Sequence, residues 1–163
     1  MAAGTLPARM GAMRISAKAD YAMRAALELA AAKDPPVKGE QIAAAQDIPL
    51  KFLEHILIDL RHAGIVVSQR GPEGGYRLDR PPDEISVADV IRAVDGPLAA
   101  VRGERPESMS YEGAAESLLP VWIALRASVR SVLEHVTLAD VVRGRLPKQV
   151  AQLARERDAW TRR

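Results

Sequence analysis

Apolar positions recur at helical spacing from the first third of the chain. Residues 16–32, SAKADYAMRAALELAAA, set Ala22, Ala26 and Leu29 beside Met23, Leu27 and Ala30 at three- and four-residue intervals, behind Ser16 as a candidate N-cap. This predicts an amphipathic helix. Asp34-Pro35-Pro36 stops it, because consecutive prolines remove donors and push the preceding residue out of the helical region. A short second helix is predicted over about residues 39–46, with Ile42, Ala43 and Ala45 apolar. After the break Asp47-Ile48-Pro49, a third helix runs to about Ala63, its Leu50, Leu53, Leu57 and Leu60 spaced 3, 4 and 3. Pro49 suits a helix start, where its missing N–H costs nothing, and Gly64 suits the stop. Two short helices joined by a tight turn outline a helix-turn-helix, a weak signal on its own.

The period then changes. Residues 65–70, IVVSQR, and 76–80, YRLDR, alternate in polarity and flank Gly71-Pro72-Glu73-Gly74-Gly75, which predicts a β-hairpin with a glycine-rich tip. Directly after a helix-turn-helix, such a hairpin reads as a wing whose Arg70 can enter a narrow minor groove. The plainer reading is a surface hairpin with a solvated arginine. Farther on, from Gly113 to about Val136, the residues Leu118, Trp122, Leu125, Val129, Val132 and Val136 are spaced 4, 3, 4, 3 and 4. That heptad seam predicts a long helix that pairs either with a second copy or with the winged domain of its own chain. Pro120 marks where the regular helix starts or kinks.

Composition narrows the fold class. Of 163 residues 48% are hydrophobic but only 4% aromatic, so the core rests on Ala, Leu, Val and Ile, which favours helix over a β-sandwich. The expected fold is mainly α with a small β-hairpin wing: a winged helix-turn-helix domain plus a long C-terminal helix, which the resemblance given below makes a dimerisation helix. The absence of cysteine excludes disulfides, thiolate zinc sites, cysteine nucleophiles and cysteine-bound clusters, and fits a reducing cytoplasm. No apolar run approaches the roughly 20 residues of a membrane helix, so a soluble, cytoplasmic protein with no membrane partner is expected. Residues 1–12 lack the layout of a secretory signal and are expected to form a disordered extension. No phosphate loop, dinucleotide fingerprint or zinc-protease motif occurs, and no nucleophile has an evident base partner, which argues against an enzyme.

The net charge of +2 hides a partition. Residues 13–82 hold ten basic against nine acidic side chains, 83–142 five against ten, and 143–163 seven against two. Phosphate neutralisation would therefore fall to locally placed cations. On the third helix Lys51 and His55, four apart near the N-terminal half, are candidates for base or phosphate contact, and Glu54 can accept from cytosine N4 or repel wrong bases. Asp59 and Arg61 lie a turn later and read as solvated. His55, Asp59 and His62 share a stripe but lack a fourth ligand, so no metal site is expected. His135 reads as helix surface.

Taken in order, Met13-Arg14-Ile15-Ser16-Ala17-Lys18-Ala19-Asp20-Tyr21-Ala22, Ile48-Pro49-Leu50-Lys51-Phe52-Leu53-Glu54, Leu60-Arg61-His62-Ala63-Gly64-Ile65-Val66, Arg70-Gly71-Pro72-Glu73-Gly74-Gly75-Tyr76-Arg77-Leu78 and Ala93-Val94-Asp95-Gly96-Pro97-Leu98 resemble the Rrf-type winged-helix transcription regulators, the IscR/NsrR/CymR-like family. The likeness is close over about 13–98 and looser to about 145. It implies a homodimeric regulator, usually a repressor, that binds double-stranded DNA at an inverted-repeat operator. By position it makes Pro49 to His62 the recognition helix, with Pro49, Lys51, Phe52, Glu54 and His55 facing DNA. It makes Arg70, with Gly71 and Pro72, the tip of the wing, and brings Lys18 and Tyr21 to phosphates. Glu73 departs from the family, whose wing commonly has glycine there.

The implied division is a winged domain over 13–82, a connecting helix over 83–97, a loop over 98–113, a dimerisation region over 114–142 and a basic tail over 143–163, partly helical over 148–160. In cluster-bearing relatives the loop holds three cysteines. Here it reads LAAVRGERPESMSYEG, with the thioether of Met109 as its only sulfur, so no iron–sulfur cluster or other cofactor is expected. Control then falls to a small molecule between winged domain and long helix near Trp122, to a protein partner, or to abundance alone. The competing reading of the whole is a winged-helix scaffold that grips protein instead of DNA.

Overall fold

The computed structural model describes residues 14–162. The N-terminal extension read at 1–12 lies outside them. Helix α1 (Ala17–Ala31) begins at Ser16, whose hydroxyl accepts from the Ala19 amide at 2.9 Å, the predicted cap. Its buried face is almost all alanine, Ala19, Ala22, Ala25 and Ala26 with Leu29, so neighbouring helices approach closely. Helix α2 (Gly39–Gln46) ends on Asp47 in the left-handed region at φ 49°, and the turn carries the buried Ile48 into helix α3 (Leu50–His62), with Pro49 as N-cap.

The core face of α3 differs from the leucine spacing. Leu53, Ile56, Leu57 and Leu60 are buried, whereas Leu50 is 38% exposed. Ile56 completes an i, i+3, i+4, i+7 stripe, and Leu50 sits in the first turn at the rim of the core.

Strands β1 (Val66–Gln69) and β2 (Gly75–Leu78) pair antiparallel, from Val66 opposite Leu78 to Gln69 opposite Gly75. Val37 adds a third rung, exchanging backbone hydrogen bonds with Tyr76 at 2.8 and 2.7 Å, and so fastens the wing to the segment before α2. The glycines of the hairpin are sterically required. A Cβ on Gly74 would lie 2.2 Å from the Gln69 carbonyl oxygen, and one on Gly75 2.5 Å from that of Val37.

Helix α4 (Val87–Asp95) starts in a capping box between Ser86 and Asp89 and packs along α1. Helix α5 (Leu118–Leu133) buries none of its residues within one chain. It ends earlier than the heptad pattern implies: Val136 is outside the helix and buried, and its carbonyl accepts from the Val87 amide at 2.8 Å. The cause is the next element. Thr137 and Asp140 form a capping box that starts helix α6 (Leu138–Arg143), and the Leu138 amide donates to the Ile85 carbonyl at 2.9 Å. Leu138, fully buried among residues of α1, α3 and α4, returns the chain to the core of the winged domain. The region 114–142 is thus two helices with different roles. Helix α7 (Lys148–Arg155) and a 3-10 turn over Arg157–Trp160 follow, largely exposed, which matches the partly helical reading of the tail. Among the described residues no helix is long and apolar enough to cross a membrane.

Candidate nucleic-acid interface

Because Leu53, Ile56, Leu57 and Leu60 face inward, helical geometry sends Lys51, His55, Ile58 and His62 to the opposite side as one stripe. Lys51, His55 and His62 are exposed, and Ile58 is exposed to 41%. Phe52, 63% exposed, and Glu54 flank this stripe. The surface is mixed in chemistry, and Lys51, His55 and His62 have no side-chain hydrogen bond or ion pair among the described residues.

The two residues set aside as solvated have definite places. Asp59 Oδ2 lies 2.6 Å from Lys18 Nζ, so Lys18 braces α1 against α3 and its charge is shared. Arg61 donates to Ser68 Oγ at 3.2 Å, tying the last turn of α3 to β1. It also lines an open groove of about 440 Å³ with Lys38, Arg70, Gly71, Pro72 and Tyr76, against Glu40 as the acidic member. Three cations from three segments therefore share the concavity between the helix-turn-helix and the wing. Lys38 and Arg61 escaped the sequence reading because only the folded wing brings them to Arg70.

At the wing tip Arg70, Gly71, Pro72 and Glu73 are all exposed, and the Arg70 side chain has no hydrogen bond or ion pair among the described residues. Glu73 sits close in sequence to Arg70 without an ion pair to it, so the acidic departure leaves the guanidinium uncommitted. Tyr21 is half-buried with its ring under Arg24, the guanidinium carbon 4.9 Å from the ring centre. Arg24 in turn donates to the Gln46 carbonyl at 2.6 Å and holds the end of α2. The Tyr21 ring thus forms part of this brace between α1 and the end of α2. His55, Asp59 and His62 do not gather into a group that could hold a metal ion, and no such group occurs among the described residues.

The heptad seam divides. Leu118, Trp122, Leu125 and Val132 are half-buried, and Trp122 Nε1 donates to the Tyr111 hydroxyl at 3.1 Å. Val129, with Leu133, packs on Ala19, Ala88, Ile91 and Leu98, and Val136 is spent in the core. Only its first part and Val132 stay available for a second chain.

The loop between α4 and α5 is ordered by its own contacts. A turn at Arg102-Gly103, both with positive φ, joins the Val101–Glu104 bridge, Pro106 and Met109 are buried, and Glu107 forms an ion pair with Arg126 of α5. Hydrogen bonding from its own backbone, then from Arg126, holds the Glu107 carboxyl below its ordinary 4.5, with the charge of Arg105 adding to this. Glu134 is lowered too, chiefly by the hydrogen bond from Arg92 and then by the charges of Arg92 and Arg130.

Against this geometry, the family profile described as Rrf2: Iron-dependent Transcriptional regulator matches residues 15–144. The HTH-type transcriptional regulator Rv1287 of Mycobacterium tuberculosis (strain ATCC 25618 / H37Rv) is similar at 57% identity over 143 residues, covering 87% of this chain and 89% of that one. Among solved structures, CymR (YrzC), the global cysteine regulator of B. subtilis, superposes with a TM-score of 0.69 at 32% identity, covering 82% of this chain and 98% of CymR. IscR of T. potens gives 0.66 at 31% identity, covering 88% and 92%. These relatives are regulators and not enzymes. The iron of the family description does not fit this donor set: the chain has no cysteine, and Met109, the one sulfur of the loop, is a buried thioether without thiolate charge. The winged fold and these likenesses together show that the chain belongs to the Rrf2 family of transcriptional regulators and has the family's DNA-binding fold.

Proposed function

We propose that the protein is a homodimeric repressor that recognises an inverted-repeat operator, with α3 in the major groove and the Arg70 wing in the adjacent minor groove. The observation that carries this reading is the unpartnered stripe Lys51, His55, Ile58 and His62 beside a groove edged by Lys38, Arg61 and Arg70. Base readout falls to Lys51, His55, Phe52 and Glu54: Phe52 offers an apolar contact for a thymine methyl, and Glu54 an acceptor for cytosine N4. Pro49, Gly71 and Pro72 bring backbone close to phosphates, and Lys18 and Tyr21 approach the backbone at the start of α1. Two chains paired through Leu118, Trp122, Leu125 and Val132 of α5 would hold two recognition helices about 34 Å apart, one turn of duplex. A helix this apolar with no residue buried in its own chain supports a second copy as its cover.

Selection of bound sequences from a random duplex library, followed by mobility shift across a salt series, tests the reading. A repressor of this kind enriches a palindrome and retains its preference as salt rises. Enrichment of no sequence, with binding that vanishes as salt rises, would leave only nonspecific phosphate attraction.

A further inference from the structure

Residues 83–142 are acidic overall, five basic side chains against ten acidic, yet four of those five line one pocket. Arg92 comes from α4, Arg105 from the loop, and Arg126 and Arg130 from successive turns of α5. The cavity they share with Glu107 measures about 300 Å³. Glu107 is engaged by Arg126, whose side chain is only 13% exposed, and Glu134, outside the lining, is engaged by Arg92 and lies 3.7 Å from Arg130. Arg105 has no side-chain hydrogen bond or ion pair among the described residues. Four arginines therefore meet two carboxylates, Glu107 in the lining and Glu134 beside it, which leaves two positive charges uncompensated. Both carboxyls are held below their ordinary range, Glu107 first by its own backbone hydrogen bond and then by Arg126, Glu134 first by the hydrogen bond from Arg92, with the arginine charges adding to each.

Like charges gathered from three separate segments repel unless something between them is negative. Guanidinium forks match the planar oxygen pairs of carboxylate and phosphate, and a cavity this small lies at the lower end of ligand sites, which run from about 300 Å³ upward. We propose that this pocket binds a small polyvalent anion of carboxylate or phosphate chemistry, with Arg105 and Arg130 as its principal ligands and Arg126 and Arg92 fixing its sides. Such an anion would bridge α4, the loop and α5. Its effect on DNA affinity, through the attitude of α5 to the winged domain, rests on the function proposed above, whereas binding itself does not.

Calorimetric titration of the full chain with inorganic phosphate, malonate and citrate, at ionic strength fixed with chloride and without DNA, tests the site. The phosphate arm and the two carboxylate arms separate the two sources of charge. The expected result is saturable binding of at least one probe, one per chain, weakened about tenfold or more in the double variant Arg105→Gln/Arg130→Gln. Both side chains are exposed, so the variant should keep the parent's circular dichroism and urea midpoint. Absence of saturable heat with all three probes, or a smaller loss in the double variant, overturns the proposal. Because no DNA is present, that failure leaves the operator reading untouched.

Discussion

Arg70 concentrates the wing's chemistry in one side chain. It is exposed, uncommitted and held on a hairpin whose backbone is pinned to Val37. Arg70→Ala is expected to weaken binding to the selected operator by about 1–3 kcal/mol, measured by fluorescence anisotropy. An unchanged affinity would remove the wing from recognition. Gly74 acts differently, through shape. A methyl group there meets the Gln69 carbonyl oxygen at 2.2 Å, so Gly74→Ala must distort the turn that presents Arg70. The expected cost is about 1–3 kcal/mol in urea unfolding, together with weaker DNA binding; a neutral effect on both would mean that the tip adapts freely.

The two halves of the C-terminal region obey different constraints, and the heptad pattern treats them as one. Helix α5 leaves Leu118, Trp122, Leu125 and Val132 only half-buried, so Leu125→Glu is expected to convert a dimer into monomers in sedimentation equilibrium while each chain stays folded. A dimer that survives the charge would remove this helix from the interface. Helix α6, although shorter, is structural. Leu138 is fully buried, and Leu138→Ala is expected to cost about 2–5 kcal/mol in denaturant unfolding through lost transfer energy and a residual cavity. A loss below 1 kcal/mol, on the order of a surface change, would show that α6 does not belong to the core.

For the molecule as a unit, α5 is docked by ion pairs at two places, Glu107 with Arg126 and Glu134 with Arg92. Both carboxyls have lowered pKa values in the folded chain. A lowered value means that the unfolded chain binds protons first: the stabilisation is present above the ordinary carboxyl value of 4.5 and disappears as pH falls below it through the folded values. Thermal midpoints are therefore expected to fall on acidification below about 4.5, and Glu107→Gln should flatten that dependence in proportion to its share. An identical pH profile in the variant would exclude the Glu107 pair from the docking of α5. The same ion pairs border the arginine pocket, so acid also perturbs the proposed anion site.

Local pattern was sufficient for the extent of α1, α2, α3 and the wing, because each is dictated by neighbours in sequence: the Ser16 cap, the Pro35-Pro36 stop, the Pro49 start and the glycine tip all act over a few residues, whereas the leucine spacing left Ile56 out of the core face of α3. The same short-range chemistry made the exposure of Arg70 and the outward face of α3 legible. Tertiary structure decided the rest. That Lys18 meets Asp59, that Lys38 and Arg61 join Arg70, that Val136 and Leu138 return to the core, and that four arginines of an acidic segment share one cavity all depend on groups far apart in the chain. Periodicity shows which face of a helix is apolar, but not whether that face closes on its own chain or on another, because the free energy of burial is the same for either cover.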